Sequence, residues 1–216
     1  MDMETARLAL IDSQVRPNDV TDRRLISAMA SLPREAFLPE ARQALAYADA
    51  VVETGPGRYL WAARDFSKVV NAAAVAPGDR VLDIAPGTGY SSAVLAKLAG
   101  KVIALEQTPQ AAELLSATLK KVGAVGVEVI SGDLATAAAG KGPFDVIFVN
   151  GAVETPAPAW IEALAEGGRL AVVVSEGPVR RARIYTRSGG VTAFRSPFET
   201  AAPSLAGFEA PVRFEF

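Results

Sequence analysis

Residues 80–92 read RVLDIAPGTGYSS: an apolar run, two glycines one residue apart, and a stretch able to start a helix. Val81, Leu82 and Ile84 suit a buried strand, and Gly87 and Gly89 suit a tight turn. Strand, glycine turn and helix in that order let backbone N–H groups and a positive helix N-terminus approach a nucleotide-like ligand. A unit of this kind needs parallel strands beside it and helices over both faces, so it dictates an α/β sheet for its surroundings. Asp83 stands inside the strand end, ahead of the turn.

The residues downstream supply those neighbours. After the strand at 81–84, apolar runs at 102–105, 127–130, 144–149 and 170–174 read as further strands, near-continuous as in a sheet covered on both faces. Between them, helices are expected over 91–99, 109–122 and about 158–164. The second of these has Thr108 as cap, Pro109 in its first position and Gly123 past its end. The regular alternation predicts a Rossmann-like, doubly wound, mostly parallel seven-stranded sheet with an antiparallel C-terminal edge.

Upstream, residues 2–15 can form a helix that Pro17 stops, and Thr21 or Asp22 can cap another carrying Leu25, Ile26, Met29 and Leu32 at helical spacing. Residues 53–66 (ETGPGRYLWAARDF) begin with turn formers and become aromatic and charged. They read either as a substrate lip presenting Arg58, Tyr59, Trp61 and Arg64, or as a hairpin whose aromatics pack under the sheet. A helix over 67–74 then leads into the key strand. In the tail, 179–187 places Arg181, Arg183, Tyr185 and Arg187 on one strand face, most simply a solvated edge that discourages aggregation. Ser188-Gly189-Gly190 reads as a hairpin turn, and the C-terminal VRFEF as the final strand.

Composition narrows the chemistry. The 216 residues contain neither cysteine nor histidine, so there is no disulfide, no thiolate nucleophile and no imidazole base or metal ligand. No metal site is expected. A net charge of −2 argues against holding nucleic acid through phosphates. No apolar run approaches the roughly 20 residues of a membrane span, and the acidic start MDMETARLAL lacks the form of a signal peptide. The expectation is a cytoplasmic protein, without membrane or nucleic-acid partners and monomeric.

Three acids mark corresponding points of successive strands: Asp83 in the first, Glu106 ending the second, Asp133 following the third. Ligands of doubly wound sheets bind beyond the carboxyl ends of the strands, so the three can line one crevice. Glu106 lies about twenty residues past the glycine turn, the spacing at which a carboxylate accepts ribose hydroxyls. Asp83 would repel a pyrophosphate and favour a cationic amino-acid end, and Ser92 replaces the third glycine of G-x-G-x-x-G. A ligand with base, ribose and ammonium but no phosphate is S-adenosylmethionine, and Asp133 would reach its adenine amine.

The segments VLDIAPGTGYSSAVLA, ALEQ, SGDL and PFDVIFVNGA resemble the cofactor motifs of class I methyltransferases. With VTDRRLISAMASLPREAFLP, AYADAVVETGPG and EGGRLAVVV, the resemblance from about Asp12 to Val174 is to protein-L-isoaspartate O-methyltransferases. It implies cofactor contacts from Asp83, Ala85, Pro86, Gly87, Thr88, Gly89, Glu106, Gln107, Gly132, Asp133, Leu134 and Asn150. It also implies transfer of a methyl group to isoaspartyl carboxylates of damaged proteins or peptides. A carboxylate is already ionised at neutral pH, which suits a chain without histidine. Residues 1–66 would be a helical and substrate-lip region packed on the methyltransferase domain of 67–216, one compact domain overall.

Two departures stand out. The family follows its first G-x-G with Gln-Thr-Ile-Ser, and that serine helps hold the substrate carboxylate; here Arg58, Tyr59, Leu60 and Trp61 follow Gly55 and Gly57. The first glycine of the cofactor motif is Ala85, which a negative φ would accommodate. Other readings are a methyltransferase with a different acceptor, or a catalytically impaired cofactor-binding protein acting through contacts at Trp61 and the arginine stripe.

Overall fold

The structure is a computed structural model and describes residues 2–209. The C-terminal VRFEF, expected to be the final strand, lies outside the described residues. The N-terminal segment forms α1 (Met3–Leu10), continued by a π-turn and a 3-10 turn, then α2 (Arg23–Ser31). Asp22 caps α2 by accepting a hydrogen bond from the Arg24 backbone N–H at 2.8 Å. A hairpin of β1 (Val52–Gly55) and β2 (Arg58–Leu60) precedes α3 (Ala63–Ala73).

The main sheet follows: β3 (Arg80–Ile84), α4 (Tyr90–Ala96), β4 (Lys101–Glu106), α5 (Pro109–Lys121) and β5 (Val127–Ser131). Then come β6 (Phe144–Val153), α6 (Pro158–Glu162), β7 (Leu164–Glu176), β8 (Val179–Ser188) and β9 (Val191–Glu199). The seven strands lie in the order β5-β4-β3-β6-β7-β8-β9. Pairings from β5 through β7 are parallel, and β7–β8 and β8–β9 are antiparallel. The chain lays β4 and β5 on one side of β3 and then returns to lay β6 and β7 on the other. That reversal opens a crevice at the carboxyl ends of β3 and β6.

Two apolar layers sandwich the sheet. One includes Leu25, Met29, Phe37, Trp61, Phe66 and Phe148, so the N-terminal helices and the segment after β2 close this face. The other joins Leu82, Ile84, Leu105 and Ile147 to Trp160 of α6. Alternate residues of β3 enter opposite layers, as the period of two requires.

Two local expectations are corrected. The hairpin at Ser188-Gly189-Gly190 folds a strand that the sequence reading did not mark, Val191–Glu199, straight back on β8. The arginine stripe is therefore not on an edge strand: β9 covers β8. Its arginines are tied locally, Arg181 to Glu199 at 3.1 Å, Arg183 to Glu176, and Arg187 to the Glu162 carbonyl at 3.0 Å. Finally, α3 begins at Ala63, so Arg64 and Asp65 belong to a helix. Asp65 lies in its first turn, where a carboxylate opposes the helix dipole.

Candidate active site

The glycine turn is held from three directions. The Ala85 N–H donates to the Leu105 carbonyl at 2.9 Å, linking the ends of β3 and β4. Thr88 Oγ1 donates to the Phe37 carbonyl at 2.7 Å, which ties the turn to the N-terminal segment. Gly89 caps α4 at φ +96°, and a Cβ there would lie 2.4 Å from Leu115 of α5. Only glycine satisfies both the angle and that approach. Ala85 is a correction to the expectation of negative φ: it sits at +58°, in the left-handed region. The turn, fixed at both ends, imposes the angle, and alanine bears a strain of about 1–2 kcal/mol there.

Asp83 is fully buried. Its Oδ2 accepts from Ser91 Oγ at 2.7 Å and Ser92 Oγ at 2.6 Å, and its Oδ1 accepts from Asn150 Nδ2 at 2.6 Å. Burial pushes its carboxyl up to about 7, and the Glu106 charge adds to the rise, against the opposing pull of those hydrogen bonds. Asn150 also donates to the Ile84 carbonyl at 3.0 Å, so it joins β6 to β3 at the crevice.

Glu106 is likewise buried and is the hub of the crevice. Its Oε1 accepts from the Gly87 N–H at 2.8 Å, and its Oε2 from the Gln107 N–H at 3.0 Å. Arg58 covers its outer side, with Nε 3.0 Å from Oε1 and Nη2 2.9 Å from Oε2. The charge-assisted fork is the strong form of such a contact. Arg58 thus lies in the crevice, not on an outer lip.

The other lip candidates separate from it. Trp61 is 3% exposed, with its ring centroid 6.1 Å from that of Phe148, and its carbonyl accepts from the buried Arg34. Arg64 turns to Asn18 at 3.0 Å and Asp65 at 2.6 Å. Tyr59 is half-buried in β2. The hairpin with inward-packed aromatics is the arrangement observed, and Trp61 offers no contact surface to a partner.

At the neighbouring strand end, the Gly132 N–H donates to the Glu106 carbonyl at 2.9 Å. Asp133 is exposed and accepts from the Thr136 N–H at 2.9 Å, while the Leu134 carbonyl accepts from Trp160 Nε1 at 2.7 Å. The structure therefore gathers Asp83, Ala85–Gly89, Glu106, Gln107 and Asn150 at one crevice, with Gly132–Leu134 on the adjoining strand end. Sequence reasoning missed Arg34, Thr54 and Ser91. A single arginine, threonine or serine carries no spacing signal.

A cavity of about 430 Å³ opens beside Arg58, Gly87, Glu106, Gln107 and Thr108. A larger one, about 510 Å³, is lined by Gly142, Pro143 and Leu164 at the amino ends of β6 and β7. Parallel sheets present ligand sites at the opposite end, so the smaller cavity belongs to the crevice.

The donor set fits S-adenosylmethionine. Glu106 would take ribose hydroxyls in place of the Arg58 fork, and Gly87, at φ +62°, leaves open the space a Cβ would fill 3.1 Å from Thr54 Oγ1. The buried acids at 83 and 106 suit a cationic ligand and oppose a pyrophosphate.

Sheet order, glycine turn and the buried carboxylate at the end of β4 are together those of a class I S-adenosylmethionine-dependent methyltransferase. The model of the protein-L-isoaspartate(D-aspartate) O-methyltransferase family (PCMT) matches residues 5–198. A protein-L-isoaspartate O-methyltransferase of Koribacter versatilis is 34% identical over 184 residues, covering 85% of this chain and 83% of that protein. One from Roseiflexus is 36% identical over 188 residues, covering 87% and 84%. The chain belongs to the protein-L-isoaspartate O-methyltransferase family. The fold agrees with two solved structures below 25% identity. A protein-L-isoaspartate O-methyltransferase has a TM-score of 0.80 at 23% identity, covering 95% of this chain and 66% of the other. A Plasmodium falciparum structure with S-adenosyl-L-homocysteine has a TM-score of 0.78 at 18% identity, covering 95% and 98%.

Proposed function

We propose that this chain is an S-adenosylmethionine-dependent carboxyl methyltransferase acting on isoaspartyl residues of damaged proteins and peptides. The observation that carries the acceptor chemistry is the saturation of the crevice acids. Both oxygens of Asp83 and both of Glu106 accept hydrogen bonds from protein groups. Neither acid presents a free basic oxygen to a substrate, so an acceptor that must first lose a proton finds no base in either. A carboxylate needs none.

S-adenosylmethionine, when bound, would supply an electrophilic methyl group for a carboxylate oxygen, a transfer that needs no proton acceptor. The chain's own residues bind, orient and exclude water. Glu106 would hold the ribose once Arg58 has moved off its outer side, and Gly87 and Gly89 would admit the ligand close to the backbone. Asp83, locked by Ser91, Ser92 and Asn150, sets the field at the end of β3. A cytoplasmic, monomeric state is part of the proposal, tested by fractionation and light scattering.

The test of activity is transfer of radiolabel from S-adenosylmethionine to an isoaspartyl peptide, with the aspartyl peptide as control. Label released as methanol at alkaline pH is the expected result, because methyl esters hydrolyse there. No transfer to any isoaspartyl peptide while S-adenosylhomocysteine still binds would overturn the substrate assignment.

A further inference from the structure

Two hydrogen-bond donors beside the glycine turn are buried and unpartnered. They are Thr54 Oγ1 and Trp61 Nε1, in residues 8% and 3% exposed. A buried donor left unmade costs about 1–3 kcal/mol, so such atoms are rare in folded proteins. The other unpartnered buried atoms among the described residues all belong to arginines, whose guanidinium groups carry further donors.

Thr54 and Trp61 line one small cavity of about 10 Å³, together with Pro86, Ser91 and Asn150. Ser91 and Asn150 are also the residues that bond Asp83, so this cavity adjoins the end of the crevice assigned to the cofactor's amino-acid end. Thr54 Oγ1 faces the turn itself, 3.1 Å from the place of a Gly87 Cβ.

We propose that the Thr54 hydroxyl and the Trp61 indole N–H are the paired donors that position the methyl-accepting carboxylate. They do the work of the serine that the resemblance places at position 61. The inference rests on the carboxyl-methyltransferase reading above and names the residues that select its acceptor.

The chemistry favours such a pair over an arginine. Methyl transfer from a sulfonium to a carboxylate consumes both charges, so the substrate is more charged than the transition state. A guanidinium on the carboxylate would stabilise the substrate more than the transition state and raise the barrier. Two neutral donors fix the oxygens with less of that penalty, and an indole N–H, which only donates, cannot orient an amine nitrogen through its own N–H.

Trp61 is held against Phe148 and, through its carbonyl, by Arg34, whereas Thr54 lies in β1 at the irregularity between Glu53 and Gly55, the residues that pair across to β2. The cavity as it stands holds about one water at most. Entry of a carboxylate requires β1 and β2 to shift, and these strands pair only with each other.

The test uses Thr54→Val, which deletes the hydroxyl with little change in shape, Trp61→Phe, which deletes the N–H together with part of the ring, and Thr54→Ser, which keeps the hydroxyl. Binding of a fluorescent isoaspartyl peptide is measured by anisotropy with S-adenosylhomocysteine saturating. Each deletion is expected to weaken peptide binding by about 10-fold or more, as for a hydrogen bond to a charged group. Thr54→Ser retains it; because Thr54 also lines the larger crevice cavity, S-adenosylhomocysteine affinity is measured for every variant, and the loss of peptide binding is expected to exceed any loss of cofactor binding. Thr54→Val also raises the melting temperature by a few degrees, because it removes an unmade donor. A purely structural threonine would show neither that rise nor the selective loss of peptide. Unchanged peptide binding in both deletions overturns this inference alone. A wild type that binds S-adenosylhomocysteine but no isoaspartyl peptide overturns the substrate assignment and this inference with it.

Discussion

Arg58→Gln tests how the crevice is held without cofactor. The guanidinium covers a Glu106 side chain with no exposed surface and is itself only 11% exposed. Removing one partner of a buried pair costs about 3–5 kcal/mol because the remaining charge is stranded. Glu106 keeps the Gly87 and Gln107 N–H donors. Those bonds, and the shorter amide at position 58, put the expected loss at the low end, about 3 kcal/mol. Urea denaturation of the cofactor-free protein should show the midpoint fall by about 1–2 M. With S-adenosylhomocysteine saturating, the loss should shrink, since ribose hydroxyls can donate to the oxygens Arg58 has left. By linkage the variant then binds that ligand more tightly, by about tenfold if half of the loss is recovered. A midpoint unchanged in the cofactor-free variant would refute the dependence of Glu106 on Arg58. A weaker affinity for S-adenosylhomocysteine would refute competition between ribose and guanidinium for the same carboxylate.

Asp83 carries a pH prediction. Its folded pKa of about 7 stands above the ordinary 3.8, so the native state holds the proton more firmly than the unfolded chain. Stability contributed by the protonated acid is complete below pH 4 and is lost as pH rises to about 7, by about 4 kcal/mol for three units. Asp83→Asn should remove that slope when urea midpoints are compared at pH 5 and pH 8; an equal slope in wild type and variant refutes the buried-acid account. Ala85→Gly relieves the left-handed strain at φ +58° and should raise the melting temperature by about 2–4 °C, glycine's greater unfolded-state entropy offsetting part of the gain. A lower melting temperature would show that alanine is not strained there.

The sheet was legible because its signals are local and repeat. Val81–Ile84, Val102–Leu105 and Val127–Ile130 are short apolar runs at even spacing, and Thr108-Pro109 marks a helix start with its own chemistry. Glu106 was legible through its distance from the glycine turn. The angle at Ala85 was not, because it is imposed by Leu105, twenty residues away, through one backbone hydrogen bond. The setting of Trp61 was also hidden: an aromatic after a turn reads equally as a lip or as core. Phe148 and Arg34, both remote in sequence, decide it. Charge reading alone put Arg58 and Arg64 on one surface, yet a helix start claims Arg64 and a buried acid claims Arg58.

The changes at positions 58 and 61 are coupled through the hairpin that carries both. Arg58 draws β2 onto Glu106, and Trp61, three residues later, fills the layer against Phe148 and Phe66. Restoring serine at 61 would return a hydroxyl but empty a site built around an indole, at a cost of about 3–5 kcal/mol for losing so large a buried side chain. Restoring glutamine at 58 would uncover Glu106 without changing that layer. The family's hydroxyl therefore cannot be recovered by one substitution at its own position. The Thr54 hydroxyl, one strand away and facing the same glycine turn, needs no such rebuilding.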